Sequence, residues 1–268
     1  MHPVLFDFPD WLPLIGDRDI RVYGFMIAMG FLCGMWWVKR ESRLTGLNAD
    51  RNMDLFFYMM ISGLVGSRIF YVFNSVPNFW SDPLVFFRIW DGGLVFQGGV
   101  ILCVIVAFFV VKKYKIPFFK TGDVFMPALC LGHGLGRIGC FFAGCCYGEP
   151  CDPRFPLALI FPHSDKGIAP AGIPLYPTQL MEIFGEALIF AVLFIFRKKK
   201  PFDGAVFLLY IILYSVLRSI TEAFRGDVIR GFVVEPYMSN GRFISLIAVI
   251  LSVLCWMYLA KKARVSKI

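Results

Sequence analysis

Tyr214, Arg218, Glu222 and Arg225 follow one another at intervals of 4, 4 and 3 residues in the stretch YSVLRSITEAFR. That spacing sets side chains on one face of an α-helix. His133 and Arg137, four apart in GHGLGRIGC, share a face in the same way. Arg68, in GSRIFY, is a third arginine set among apolar residues. Arginine presents a planar, permanently charged fork that fits phosphate oxygens, so several arginines with few carboxylates make a site for an anionic group. A second pattern lies beside Arg137. The segment GRIGCFFAGCCYGEPC, residues 136–151, holds Cys140, Cys145, Cys146 and Cys151, four of the eight cysteines. Thiol redox chemistry asks for a CxxC pair, and zinc or iron–sulfur sites ask for their own spacings. C-x4-C-C-x4-C is none of these, so no metal and no other cofactor is expected. Cys145 and Cys146 are expected to pack as small apolar residues, and a disulfide at Cys151 cannot be deduced from spacing.

The elements that position these residues are membrane spans. Hydrophobic residues make up 58% of the chain and charged residues only 17%, with a mean hydropathy of +0.68, which excludes a soluble globular domain. Apolar runs of about 20 residues suffice to cross a bilayer. Seven are present, at roughly 19–38, 52–73, 94–111, 121–142, 177–196, 203–222 and 241–260. The stretch before the first has neither a basic n-region nor a small-residue cleavage site, so the first span is expected to be retained. Four Lys or Arg fall in each of four segments, after spans one, three, five and seven, ending with Lys261, Lys262, Arg264 and Lys267. The positive-inside rule makes that side cytoplasmic. The expected fold is therefore an all-α integral membrane protein, a single domain over residues 1–268 with seven helices, its N-terminus outside and its C-terminus cytoplasmic. The net charge of +8 is accounted for by topology, and no nucleic acid is expected as a partner. The segment 74–93, with Trp80, Trp90 and DGG, reads as an interfacial loop. The Pro- and Gly-rich segment 143–176 reads as a long, ordered outer loop.

On this topology the polar residues share a depth. Tyr23 (with Arg21) opens span one, Arg68 lies in the outer part of span two, and Gln97 begins span three. His133 and Arg137 lie in the outer half of span four, Gln179 and Glu182 begin span five, Arg218 and Glu222 end span six, and Arg242 begins span seven. Charge inside a bilayer costs several kcal/mol unless paired or hydrated, so an intramembrane arginine is a functional candidate by default. The alternative is that these arginines reach to the interface or pair with Glu182 and Glu222 structurally. A transporter would place polar residues at the midplane and show repeated halves, and neither is evident.

RVYGFM, GSRIFYVF, WDGGLVFQGG, GHGLGRIGCFFAGCCYGEP, YPTQLMEIF and YSVLRSITEAFR occur in the order, and on the spans, of the prolipoprotein diacylglyceryl transferase family, which the chain resembles over nearly its whole length. The resemblance implies transfer of the diacylglyceryl group of phosphatidylglycerol to the lipobox cysteine of a prolipoprotein signal peptide. A thioether forms and glycerol 1-phosphate leaves. It also implies a multi-pass protein of the bacterial cytoplasmic (inner) membrane whose site faces the outer leaflet. Arg137 and Arg218 match the family's essential arginines. Tyr214, Glu222 and Gly148 match further motif positions, and Tyr23, Arg68, Gln179 and Glu182 are taken as site-lining or structural. Arg225 is grouped with the substrate-binding residues.

The chain departs from the family at Gln97, where a histidine often proposed as the base is common, at Cys140, commonly Asn, and at Arg242, commonly Gln. An amide such as Gln97 orients a headgroup but does not take a proton at neutral pH. Either His133 or Tyr214 serves as base, or the thiol loses its proton to water or lipid. For His133 an interhelical hydrogen bond is the alternative. A lipid-binding paralogue without transfer and a membrane thiol oxidoreductase are the competing functions.

Overall fold

The computed structural model describes residues 4–7, 19–76, 79, 82–88, 92–163, 168–226, 231–235 and 237–265. Trp80, Trp90 and Lys267 lie outside the described residues. Seven long helices follow one another: α1 (Val22–Leu44), α2 (Ala49–Ser75), α3 (Phe96–Tyr114), α4 (Phe118–Ala143), α5 (Thr178–Phe196), α6 (Ala205–Glu222) and α7 (Asn240–Val265). All seven are long and apolar enough to cross a membrane. Only 11% of the most apolar stretch of α7 is buried inside the protein, and so much exposed apolar surface is stable only against lipid. Among the described residues, three short antiparallel hairpins precede or link helices: β1 (Val4–Asp7) with β2 (Asp19–Arg21), β3 (Leu159–Ile160) with β4 (Pro174–Leu175), and β5 (Phe232–Val234) with β6 (Met238–Ser239). The chain divides into two compact units, Met1–Trp37 with Gly122–Ile268, and Val38–Thr121.

In the larger unit the helices meet over a core of Cys130, Ile189, Leu193, Val206 and Tyr210. At one end of this core Asp123 accepts hydrogen bonds from Lys200 Nζ at 2.7 Å and from the backbone N–H groups of Gly204 at 2.8 Å and Phe207 at 2.9 Å. These are unpaired donors at the start of α6, so the carboxylate caps that helix and complements its dipole. Trp37 closes the same unit, its indole N–H donating to the Val124 carbonyl at 3.1 Å.

In the smaller unit α2 and α3 approach through glycine. A Cβ built on Gly66 would collide with the Gly98 carbonyl, and one on Gly99 would meet the Gly63 carbonyl oxygen at 2.7 Å. Small residues let helix backbones come this close, which is how helices associate where lipid offers no hydrophobic drive. Arg68, 3% exposed, stands at the end of this seam. Its Nε donates to the Phe86 carbonyl at 3.1 Å, Nη1 to Gly92 and, at 3.0 Å, to Gly93, and Nη2 to Val85 and, at 2.8 Å, to Arg88. A guanidinium has five N–H groups, and each one is engaged by a backbone carbonyl. In this structure Arg68 therefore clamps the connection between α2 and α3 and has no donor left for a ligand. Lysine offers three donors without the fork, so Arg68→Lys leaves at least two carbonyls without a partner. A loss of about 3 kcal/mol or more is expected, given about 1.5–3 kcal/mol for each charged hydrogen bond. The expected readout is a lower Tm in detergent with faster proteolysis between residues 82 and 93.

Candidate active site

Glu182, in the second turn of α5, holds two arginines from two other helices. Its Oε2 is ion-paired with Nε of Arg137 on α4, and its Oε1 accepts from Nη1 of Arg218 on α6 at 3.0 Å. Thr221 Oγ1 donates to the same Oε1 at 3.1 Å. Arg218 Nη2 in turn pairs with Glu222 Oε2 at 2.6 Å. The intervals of four along α6 place Arg218 beside Glu222, as the helical face requires. What joins α4 to α6 is the carboxylate of α5. The side chains of Glu182 and Glu222 are 8% and 1% exposed, those of Arg137 and Arg218 21% and 18%. The acids thus form the floor and the arginines the accessible layer. Nη1 and Nη2 of Arg137 have no hydrogen-bond partner among the described residues. Gly241, in the first turn of α7, backs the cluster, since a Cβ there would come within 3.2 Å of Glu222 Oε2.

One turn deeper, His133 Nδ1 lies 3.2 Å from Glu186 Oε1 and 2.9 Å from the Tyr210 hydroxyl. Cys130 Sγ donates to Glu186 Oε2 at 2.8 Å. The interhelical bond, one of the two readings of His133 from sequence, is present and ties α4 to both α5 and α6. Tyr214 stacks on Tyr210 with ring centroids 5.7 Å apart and an interplanar angle of 12°, and its centroid is 5.2 Å from that of His133. The sequence reading missed Glu186, which is 2% exposed. Its signal was the interval of four from Glu182 on an otherwise apolar helix, which puts both acids on one face.

The connection after α4 is drawn onto the start of α5. Buried Thr178 and Gln179 donate to the carbonyls of Cys146 at 2.9 Å and Cys145 at 3.0 Å. Gly148 bridges to Arg225 in antiparallel fashion, and Glu149 N–H donates to the Phe224 carbonyl at 2.8 Å. Gly148 is required by close approach, because a Cβ there would lie 2.7 Å from Tyr176 Cβ. The same pairing brings Arg225, itself buried, to the loop. Tyr23, in the first turn of α1, packs over Gly139, where an added Cβ would stand 3.1 Å from Tyr23 Cα. All eight cysteines are free thiols, yet Cys140, Cys145 and Cys146 do not simply disperse as packing residues: their sulfurs lie within 4.8 Å of one another. The Cys146 thiol is held well below its ordinary range, chiefly by hydrogen bonds from the other two sulfurs, with Arg137 and Arg225 adding to the effect.

The larger unit thus brings together Arg137, Arg218, Tyr214, His133, Glu222, Glu182, Gln179, Gly148, Arg225 and Tyr23. Arg68 and Gln97 belong to the smaller unit, where Gln97 is exposed in the first turn of α3. The sequence model of the family described as prolipoprotein diacylglyceryl transferase matches residues 10–258. The chain belongs to this family. It is 35% identical over 254 residues to the phosphatidylglycerol–prolipoprotein diacylglyceryl transferase of Clostridium tetani, covering 94% of this chain and 96% of that one. It is 34% identical to the protein of the same name from Cronobacter sakazakii, covering 96% and 97% of the two chains. A Clostridium perfringens protein, phosphatidylglycerol–prolipoprotein diacylglyceryl transferase 2, is 34% identical over 238 residues. As a prolipoprotein diacylglyceryl transferase, the chain carries its two motif arginines on α4 and α6 and joins them through an acid on a third helix.

Proposed function

We propose that the protein transfers the diacylglyceryl group of phosphatidylglycerol to the thiol of a lipobox cysteine in a prolipoprotein signal peptide, making a thioether and releasing glycerol 1-phosphate. The observation that carries this is the Arg137–Glu182–Arg218 bridge, with the terminal N–H groups of Arg137 unclaimed among the described residues. A phosphodiester carries one negative charge, and the departing phosphate monoester carries nearly two. Fixed arginines in a low-dielectric site therefore bind the leaving group more strongly as the carbon–oxygen bond breaks, which is the condition for lowering the barrier. Glu182 and Glu222 balance both arginines while no anion is bound and hold their forks in place. Tyr214, within electrostatic reach of Arg137 and Arg218, lines the same layer. His133, tied on Nδ1 to two helices, serves to fix α4 against α5 and α6. Tyr23 is assigned to headgroup or acceptor contacts. The side bias of the basic segments supports a cytoplasmic C-terminal end, and with it an arginine layer assigned to the outer leaflet of the bacterial inner membrane.

The test is to incubate the purified protein with phosphatidylglycerol vesicles and a lipobox peptide, following the peptide's mass and glycerol phosphate release. Both signals are expected in equal amounts, and a wild-type protein that gives neither overturns the proposal. Within that assay His133→Gln is expected to retain transfer and lose thermal stability. Loss of the rate with unchanged stability would make His133 the base instead.

A further inference from the structure

We propose that Cys140, Cys145 and Cys146 together hold a thiophilic d10 cation, with zinc as the reference ion, and that its fourth position takes the acceptor thiol of the transfer reaction. The second half of this proposal rests on the transferase reading; the first does not. The three sulfurs lie within 4.8 Å of one another. With zinc–sulfur bonds of about 2.3 Å, tetrahedral ligands stand about 3.8 Å apart, so closing onto an ion needs movements under about 1 Å.

The convergence is built by the backbone. Cys140 lies in the last turn of α4, one turn after Arg137 on the same face. Cys145 N–H returns to the Cys140 carbonyl at 3.1 Å, Gly144 has φ +68°, and Cys146 has φ +58°. A left-handed conformation is uncommon outside glycine and persists where the surroundings impose it. Here Thr178 and Gln179, each 1% exposed, grip the two carbonyls and turn Cys146 back onto its neighbours. The same Gln179 leaves its buried Oε1 without a hydrogen-bond partner among the described residues, an acceptor that a bound peptide N–H would satisfy. Linear spacing hides all of this, because C-x4-C-C fits no familiar zinc pattern when read as extended chain.

Cationic side chains also face the cluster. Three thiolates and a divalent ion sum to −1, and a fourth thiolate makes −2. Arg137 and Arg225 both lie within electrostatic reach of Cys146. Cys145 and Cys146 are half-buried, which leaves the open position that separates catalytic from structural zinc sites. A free thiol at neutral pH is only a few per cent thiolate, whereas a thiol ligated to zinc is deprotonated outright. On ligation the acceptor's proton leaves to solvent. Its sulfur then attacks the carbon of the diacylglycerol moiety that is esterified to phosphate, the carbon–sulfur bond forms, and that carbon's bond to oxygen breaks with its electron pair passing to the glycerol 1-phosphate beside Arg137. No oxidant or reductant is required, and no side-chain base replaces the histidine for which this chain has Gln97.

The full-length protein, purified in detergent under reducing conditions and stripped with a chelator, is titrated with Co2+. A thiolate-to-cobalt charge-transfer absorption saturating at one ion per chain is expected, abolished by Zn2+ and lost in Cys140→Ser, Cys145→Ser and Cys146→Ser. The lipobox peptide is expected to shift the band, and the same peptide with serine for cysteine to leave it unchanged. Stripping is expected to lower transfer at least about 100-fold, with recovery on adding Zn2+. Absence of the band, full transfer by the stripped protein, or an active protein in which two of the three cysteines form a disulfide would each overturn the proposal. If no metal state yields thioether or glycerol phosphate, the transferase reading fails, and the cobalt band still decides whether the cation site exists.

Discussion

Arg137→Ala and Arg218→Ala are each expected to lower the rate of thioether formation by about 100- to 1,000-fold, the range found when one preorganised donor to a developing anion is removed. Both side chains are anchored by Glu182, Arg137 through Nε and Arg218 through Nη1, and on the proposed function both meet the departing phosphate. The loss is expected in the chemical step, measured as single-turnover formation of lipidated peptide at saturating phosphatidylglycerol. Binding of the uncleaved lipid should change less, because its phosphate carries one charge where the product's carries nearly two. The double variant should fall short of the product of the single losses, since the two groups share one carboxylate and one ligand. Arg137→Lys retains charge without the fork and is expected to recover only part of the rate. A single-turnover rate unchanged in Arg218→Ala would remove the arginine pair from the mechanism.

Glu182→Gln is expected to destabilise the protein by about 3–5 kcal/mol, the usual consequence of leaving a buried charge without its partner. The substitution keeps the shape of the side chain and removes the negative charge that two guanidiniums share. It also turns an amide N–H2 toward one of them. Glu222 still pairs with Arg218 at 2.6 Å, so Arg137 carries most of the damage. The measurement is thermal unfolding in detergent, followed by exposure of native cysteines. A second readout separates this from generic core damage: inorganic phosphate or phosphatidylglycerol should recover a larger part of the Tm loss in Glu182→Gln than in a packing variant such as Leu193→Ala, because an anion replaces the missing carboxylate. Equal responses in the two variants would show that the site does not bind phosphate.

The seven spans and the faces of the individual helices were legible from residue order. Span length follows from hydropathy, and the intervals 214, 218, 222 and 225 are turned into one face by the helical period alone. The expected span of 121–142 and helix α4 at Phe118–Ala143 differ by three residues or fewer at each end. Arg68 shows where that reasoning stops. Its apolar surroundings and depth marked it as a ligand-binding candidate, but its five N–H groups meet carbonyls 17 to 25 residues away. Nothing in the sequence spacing encodes that loop path. Glu186 was passed over because an acid on an apolar helix has no partner in view until α4 presents Cys130 and His133 to it. The cysteines mislead in the opposite direction: their spacing matches no known pattern, and only the left-handed turn at Cys146, held by residues more than thirty positions later, brings three sulfurs together. Residue order thus determined which side chains share a helix face and how often the chain can cross a bilayer, because both depend on local periodicity. Which faces meet, which carboxylate joins two arginines and where the thiols converge were decided by tertiary structure, because the rotation and register of one helix against another are fixed by packing between residues far apart in the chain.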